Sequence, residues 1–272
     1  MQRELGGIKA SGRKYLGSIL KAYPAGFTVE EAILVLGLTR IRTTALLSSW
    51  QKQGWLYRVK RGFYIPVPFE SSTIVTAPLE PWLIAHKLFS PCCIAGWTAA
   101  HHWGFTEQLF IPIYVCTVKS VHQRDQTLEG VSFKIKTIQQ DRLFATQNIW
   151  VGAVKVAISD PTKTIIDGLN DPNVLGGLRM LTDILDQYIY SEHFDEKKLI
   201  AYAQQMGNSA ILKRLGFLME CISREKFQFL IQQCKSSIKS GYSQLDPNIK
   251  GDRLNTHWNL WISSTFQLEN TL

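Results

Sequence analysis

The most constraining feature of this sequence is a series of local signals between residues 28 and 53, which together predict two helices in succession. Thr28 and Glu31 form a capping box, in which each side chain accepts a hydrogen bond from the other residue's backbone N–H. The apolar run that follows ends at Gly37, a residue suited to the left-handed position that closes a helix. Thr39 can then cap the next helix. Two helices joined by a short turn that contains Gly form the helix-turn-helix pattern.

A β-hairpin is expected directly after these helices. Residues 55–59 and 63–65 are rich in aromatic and β-branched side chains, and Lys60-Arg61-Gly62 between them forms a basic turn with a Gly. Pro66 and Pro68 end the second strand, because proline donates no hydrogen bond to a sheet. A helix-turn-helix followed at once by such a hairpin is a winged helix.

The second helix of the pair has two unlike faces. On a helical wheel Thr43, Leu47 and Trp50 share the inward face. The opposite face carries small or basic residues and no acid, which is unusual for a helix face that meets only water. Small side chains allow a helix to lie close in the major groove of DNA, while Arg and Lys reach base edges or phosphates. The predicted DNA-contacting residues are Arg40, Arg42, Thr43, Ser48, Ser49 and Lys52 on this helix and Arg58, Lys60 and Arg61 on the hairpin.

The net charge of the chain is concentrated in the same segment. Residues 1–68 hold eleven Lys and Arg against three acidic residues, which is the whole formal charge of +8, and the remaining 204 residues hold nineteen of each sign. One basic module of this kind favours a polyanionic partner, here double-stranded DNA. The alternatives are a winged helix that docks a protein partner and a basic turn that is only a solvated loop.

Composition predicts a folded protein of a reducing compartment. Of the 272 residues, 45% are hydrophobic and 19% are charged, so disorder is not expected. No apolar run reaches the ~20 residues that span a membrane, and the N-terminus lacks the apolar segment of a secretory signal. Five scattered cysteines without a C-x-x-C pair indicate free thiols rather than disulfides or a zinc site. We therefore expect a cytoplasmic protein without a membrane partner, metal or cofactor.

The rest of the sequence predicts a second, larger unit, so the expected fold class is α+β, with a winged helix, a mixed α/β region and a C-terminal helical region. Strand-like alternation occurs at residues 111–118, 131–138 and 149–158, and helical spacing dominates afterwards. The predicted organisation is a DNA-binding domain at residues 1–68, a linker at 69–78 and a C-terminal domain at 79–272, divided into a mixed sheet at about 79–158, helices at about 159–240 and a tail at 241–272.

Two pairs of adjacent residues are of types that bind metals, and neither pair fits a metal site. His101 and His102 are adjacent on a predicted helix and so point to different faces, unlike an i, i+4 metal pair. Cys92 and Cys93 fit no structural zinc spacing, and a buried strand is the commoner setting for such a pair.

One further cluster could carry chemistry. Asp160, Lys163 and Asp167 could be imagined as a nuclease or phosphoryl-transfer site. Asp160 as a helix cap and Asp167 as a solvated acid are favoured instead, because no second acidic pair accompanies them. No P-loop or nucleophile motif occurs in the sequence, so an enzyme is not expected.

Five motifs in a fixed order give the chain a resemblance to a known family. They are G-W-L-x-R-x-x-R-G-x-Y at residues 54–64, A-G-W-T-A-A-H-H-W-G-F-T at 95–106, S-D-P-T-K-T-I-I-D at 159–167, K-R-L-G-F-L at 213–218 and L-D-P at 245–247. The order is similar to that of the AbiEi antitoxins of type IV toxin–antitoxin systems, with departures at Ala100 and His101.

That resemblance implies an autorepressing antitoxin. In this family the winged helix binds the promoter of its own operon, and the C-terminal part counters a nucleotidyltransferase-like toxin, directly or indirectly. The matching C-terminal segments supply candidates for toxin neutralisation: Asp160, Lys163, Thr164, Asp167, Lys213 and Arg214. The alternatives are a winged-helix adaptor for protein partners and, ranked last, a DNA-directed nuclease.

Overall fold

The structure, a computed structural model, describes residue 7 and residues 9–67 and 80–266. It combines a winged helix, a six-stranded mixed sheet and a layer of helices, which confirms the predicted α+β class. The predicted linker at 69–78 lies outside the described residues.

The winged helix follows the local signals of the sequence and adds one short strand. Its elements are α1 (Ala10–Ala22), β1 (Phe27–Thr28), α2 (Val29–Leu36), α3 (Arg40–Lys52), β2 (Leu56–Lys60) and β3 (Phe63–Pro66). Strand β1, which is too short to show alternation, pairs antiparallel with β3 and completes a sheet of order β1-β3-β2. Ile19, Phe27 and Leu47 are fully buried in the core of this unit.

The central unit is a mixed sheet of order β6-β7-β5-β4-β9-β8. Its elements are α4 (Pro81–Phe89), β4 (Cys92–Ile94), α5 (Gly96–His102), β5 (Ile113–Thr117), β6 (Asp125–Leu128), β7 (Val131–Thr137), β8 (Thr146–Val151) and β9 (Val154–Ser159). Strand β4 pairs antiparallel with β5 and parallel with β9, so the sheet is mixed at its centre. The stretch at 149–158, where the sequence shows strand-like alternation, lies in the antiparallel hairpin of β8 and β9 around Gly152, whose φ of 59° is left-handed.

Helices dominate after β9, as predicted. They are α6 (Pro161–Asn170), α7 (Leu178–Ile189), α8 (Glu196–Met206), α9 (Ser209–Ser223) and α10 (Gln228–Ser237), followed by the short strands β10 (Ser243–Gln244), β11 (Arg253–Asn255) and β12 (Leu260–Ile262). Residues 224–227 form a turn between α9 and α10. The tail buries Trp258 completely and so packs against the helices.

The apolar core is divided into three clusters that coincide with the layers. One lies inside the winged helix, one between α4 and a face of the central sheet, and one between the other face and the C-terminal helices. Among the described residues, no cluster joins the winged helix to the rest. Polar and cation–π contacts join the two units, such as the hydrogen bond from Tyr57 to Glu129 at 3.1 Å.

In the described segments, no single helix is long and apolar enough to cross a membrane. Helices α2 and α3 meet the same test of length and composition only when they are taken together, across a bend of 110°.

Candidate nucleic-acid interface

Helix α3 is held in place by caps at its start and by three side chains on its inner face. Thr43 and Leu47 are fully buried and Trp50 is nearly so. Thr39 Oγ1 accepts a hydrogen bond from the Arg42 N–H at 3.4 Å and caps the helix, as predicted. The axis of α3 turns by 110° from that of α2, which is the angle typical of a helix-turn-helix.

The outer face of α3 is basic and free of acid. Arg42, Ser49 and Lys52 are exposed, and Ser48 is half-buried. No ion pair involves Arg42 or Lys52 within the described residues, so their charges are available to a partner. A helix that presents cations and small hydroxyl groups in this way suits contact with phosphates and base edges.

Arg40 differs from these cations because it has an internal partner. Its guanidinium lies 2.8 Å from Glu30 Oε1, and both side chains are more than 60% exposed. Partial burial alone would raise the pKa of Glu30, but hydrogen bonds to its carboxylate, including that from Arg40, lower it. A surface pair of this kind is weak in water, so Arg40 can exchange Glu30 for a phosphate at small cost.

The hairpin places two exposed cations beside the helix-turn-helix. Arg58 lies on β2 and Arg61 in the turn, and both are exposed. The Gly62 carbonyl accepts a hydrogen bond from the Val29 N–H at 3.0 Å, which joins the wing tip to the start of α2. Gly62 has a φ of 90°, a conformation that favours glycine at this turn.

Lys60 corrects the prediction for the wing. Its ammonium donates to Gln126 Oε1 at 2.6 Å and lies 5.7 Å from the centre of the Phe89 ring, so it faces the central unit. Burial lowers its pKa. The strand register shifts between Arg58 and Lys60, and such a bulge re-aims the side chain that follows it. Lys60 therefore serves the contact between the two units rather than a free wing.

Thr43 is the second correction. The sequence analysis placed it near the groove, yet its side chain is fully buried under α3. Its hydroxyl has no hydrogen-bond partner among the described residues. The position follows from helical geometry, because Thr43, Leu47 and Trp50 lie on one face. Thr43 therefore supports the helix and does not reach DNA.

Ile41 is a residue that the sequence analysis missed. Its side chain is 82% exposed on the outer face of α3. The helical wheel could have located it, because position 41 lies about 180° from position 50, which is buried. An apolar residue in a helix is expected to point inward, so the outward position of Ile41 on the wheel was not predicted.

The Asp160–Asp167 segment is a structural element at the start of α6. Asp160 Oδ1 accepts a hydrogen bond from the Lys163 N–H at 2.6 Å, which confirms the predicted cap, and Oδ2 accepts one from Tyr202 at 3.0 Å. The Thr164 hydroxyl is fully buried and donates to the Asp160 carbonyl. The polar side chains of Asp160 and Thr164 are therefore engaged in hydrogen bonds inside the fold.

Asp167 is not the solvated acid that the sequence analysis favoured. Its carboxylate lies 2.5 Å from the Lys163 ammonium, and the two side chains are 17% and 5% exposed. Burial raises the pKa of Asp167, and the Lys163 charge opposes that rise. The pair is therefore a partly buried ion pair inside the fold.

A cavity of about 220 Å³ lies beside this ion pair, between the central sheet and α6. Its cations are Lys136, Arg142 and Lys163, and each has an internal partner: Lys136 lies 2.6 Å from Asp171, and Arg142 donates to the Met206 carbonyl. The cationic side chains of the cavity are therefore already engaged inside the fold.

Lys213 and Arg214, the remaining antitoxin candidates, are also buried in α9. The Lys213 ammonium donates to the Gly241 carbonyl at 2.6 Å. The Arg214 guanidinium donates to the carbonyls of Leu169 and Leu245 at 2.7 and 3.0 Å, and so ties α6 and the tail to α9. The complete or partial burial of these candidates does not favour direct contact of their side chains with a toxin.

The structure offers no metal centre in residues 7, 9–67 and 80–266, where no group of three His, Cys, Asp or Glu side chains converges. Cys92 and Cys93 are buried in β4, as the sequence predicts, and the five cysteines are free thiols.

The fold and the basic face of α3 define the class of this chain as a winged-helix protein of the α+β type. Residues 27–67 match the family described as "Transcriptional regulator, AbiEi antitoxin", so the predicted resemblance is confirmed over this segment. Over these residues the winged helix is therefore similar to that of the antitoxin transcriptional regulators of this family. The other resembling motifs lie outside the matched residues.

A solved structure resembles nearly the whole chain. The RV2827C protein from Mycobacterium tuberculosis superposes with a TM-score of 0.59, covering 96% of this chain and 94% of that chain at 14% sequence identity. At this identity the likeness concerns the fold, winged helix and C-terminal part together. A comparison with curated proteins found no matching relative.

Proposed function

We propose that this chain is a DNA-binding antitoxin and transcriptional autorepressor, which binds its own promoter through α3 and the wing. The observation that carries the proposal is the outer face of α3, where Arg42, Ser49 and Lys52 are exposed and no acid is present. The family match over residues 27–67 supports the regulatory role. The remaining DNA-contacting residues are Arg40, Ser48, Arg58 and Arg61.

A mobility-shift titration against the DNA upstream of the chain's own gene tests this proposal. Binding should weaken by orders of magnitude between about 50 and 200 mM salt, because several phosphate contacts release counterions. A protein adaptor would bind its partner with little change over this range. Binding to the upstream DNA that is absent, or indifferent to salt, would favour the adaptor.

The second part of the proposal is that the C-terminal part counters a nucleotidyltransferase-like toxin. It rests on the resemblance of the motifs from residue 95 onward. If a gene next to this one encodes a nucleotidyltransferase-like toxin, coexpression of this chain with that toxin should restore the growth that the toxin alone prevents. Growth arrest that persists despite a folded, abundant antitoxin would contradict this part and leave DNA binding untouched.

We further propose that residues 79–272 form a unit separate from residues 1–68. The division of the apolar clusters supports this boundary, since every buried residue of the two larger clusters lies at or beyond Ile84. A fragment that starts at Thr76 should fold, measured by circular dichroism and cooperative urea unfolding, and should bind no DNA. A folded fragment that still shifts the upstream DNA would contradict the division of labour.

The nuclease alternative receives no support from the geometry of Asp160, Lys163 and Asp167, whose polar groups are engaged inside the fold. Incubation of the protein with plasmid and Mg²⁺ or Mn²⁺ should leave the plasmid supercoiled. Nicking that disappears in Asp167→Asn would revive the alternative.

A further inference from the structure

Ile41 is the most exposed large hydrophobic residue of the described winged helix, at 82%. The next is Leu34 on α2, at 78%. Single exposed apolar residues are ordinary on protein surfaces, so exposure by itself assigns no role. The position of Ile41 within α3 supplies the second observation.

Ile41 lies at the middle of the outer face, in the first turn of α3. With 100° per residue, it lies about 180° from the buried Trp50 and within about 40° of three residues on the outer face. These three neighbours are Ala45, Ser48 and Lys52. Because the side chains at positions 45 and 48 are short, Ile41 is the longer side chain among them on this face.

The charges around Ile41 select the kind of partner that can approach it. Arg42 is adjacent, Lys52 shares the face, and Arg58 and Arg61 are exposed on the wing. A second copy of the chain that docked symmetrically through this face would bring these cations together, which opposes association. A polyanion meets the same charges favourably, so DNA is the partner that fits.

Within the major groove, the thymine 5-methyl group is the apolar group that a base pair presents, and residues near the start of a groove-bound helix reach base edges. We infer that Ile41 contacts the 5-methyl group of a thymine in the operator and is a specificity-determining residue of this site. The inference rests on the proposed function and deepens it by naming the feature of the base that is read.

The test replaces thymine by deoxyuridine, which lacks the methyl group and keeps the base pair. Footprinting first locates the site in the upstream DNA, and each thymine in it is then replaced in turn. At one or more positions the wild-type protein should bind the deoxyuridine site about fourfold more weakly, the effect of one buried methyl-sized group. Ile41→Ala should bind the two sites equally.

Leu34→Ala is the matched control, because Leu34 is almost as exposed but lies on α2. This variant should keep the wild-type preference for thymine. Circular dichroism checks that both variants are folded, which is expected for substitutions at exposed positions.

Three outcomes separate the claims. Wild-type protein that binds the site tightly and is indifferent to every replacement would overturn the inference and leave the proposed function standing. An Ile41→Ala variant that keeps the full preference for thymine would also overturn the inference. This holds even if the variant changes the oligomeric state of the protein. Wild-type protein that binds no upstream DNA would defeat the proposed function itself.

Discussion

The Lys87 ammonium of α4 lies 2.5 Å from the Glu31 carboxylate of α2, and this ion pair joins the central unit to the winged helix. The other oxygen of Glu31 accepts the Thr28 N–H at 2.8 Å, so one carboxylate caps α2 and also binds Lys87. Lys87 lies 4.7 Å from the centre of the Tyr23 ring as well. The helix-turn-helix is thereby tied to α4 through a polar contact.

Lys87→Met should lower the free energy of unfolding by about 1–2 kcal/mol. Without the Lys87 ammonium, the Glu31 carboxylate stays partly buried and loses its ion-pair partner, but it keeps its hydrogen bond from the Thr28 N–H. Lys134→Met is the control, since Lys134 lies 3.4 Å from Asp125 and their side chains are 47% and 73% exposed. The control should change stability by less than about 0.5 kcal/mol. Equal losses in urea titrations of the two variants would contradict a special role for Lys87.

Much of the winged helix could be predicted from the sequence, because its signals are local. The capping box of Thr28 and Glu31, the Thr39 cap and the glycine turn each depend on residues within four positions of one another. The ion pair of Lys87 with Glu31 joins residues 56 positions apart and depends on the docking of two units, so no local sequence signal predicts it. Lys60 was assigned to a free wing for the same reason.

Thr43→Val should leave DNA binding unchanged and should stabilise the protein by on the order of 1 kcal/mol. The Thr43 hydroxyl is buried and has no hydrogen-bond partner in the described part of the chain, and valine of similar shape removes the cost of its lost hydration. Thr162→Val is the control, because the Thr162 hydroxyl is 2.9 Å from the Tyr188 hydroxyl. That control should destabilise by about 1–2 kcal/mol. A loss of DNA affinity in Thr43→Val with unchanged stability would restore the original prediction.

Arg61→Gln and Lys60→Gln should behave differently in DNA titrations at several salt concentrations. Arg61 is exposed in the wing turn, so its loss should weaken binding to all sequences and reduce the salt slope by about one. Lys60 is engaged by Gln126 at 2.6 Å, so its loss should leave that slope unchanged. Equal reductions of the slope would show that Lys60 also meets phosphate.

Gly216→Ala should destabilise the fold by about 1–3 kcal/mol through overpacking. A Cβ atom at Gly216 would lie 2.1 Å from the Trp258 ring, which is fully buried and cannot move freely. Gly17→Ala in α1 is the control, since a Cβ atom there meets nothing within 4 Å. It should stabilise by about 0.5–1 kcal/mol, because alanine favours a helix interior. Urea unfolding compares the two, and stabilisation of both would contradict the packing of Trp258 on α9.

The candidate site was harder to predict than the fold. Composition and spacing located α3 and its exposed cations, because charge and helical period are visible in sequence. They did not reveal that Ile41 is exposed, since an apolar residue in a helix is expected to face the core. Composition and spacing also predict a solvated Asp167. The partial burial of Asp167 depends on how α6 packs in the fold, which the sequence pattern does not show.

The central claim is that α3 reads DNA sequence, and the comparison of wild-type protein with Arg42→Ala tests it most directly. Both proteins are titrated against the upstream DNA and against a scrambled duplex of the same composition and length. The wild-type protein should prefer the upstream DNA, and Arg42→Ala should lose about 1–3 kcal/mol of that preference while its affinity for the scrambled duplex changes little. An unchanged preference in Arg42→Ala, or equal binding of both duplexes by the wild-type protein, would contradict the claim.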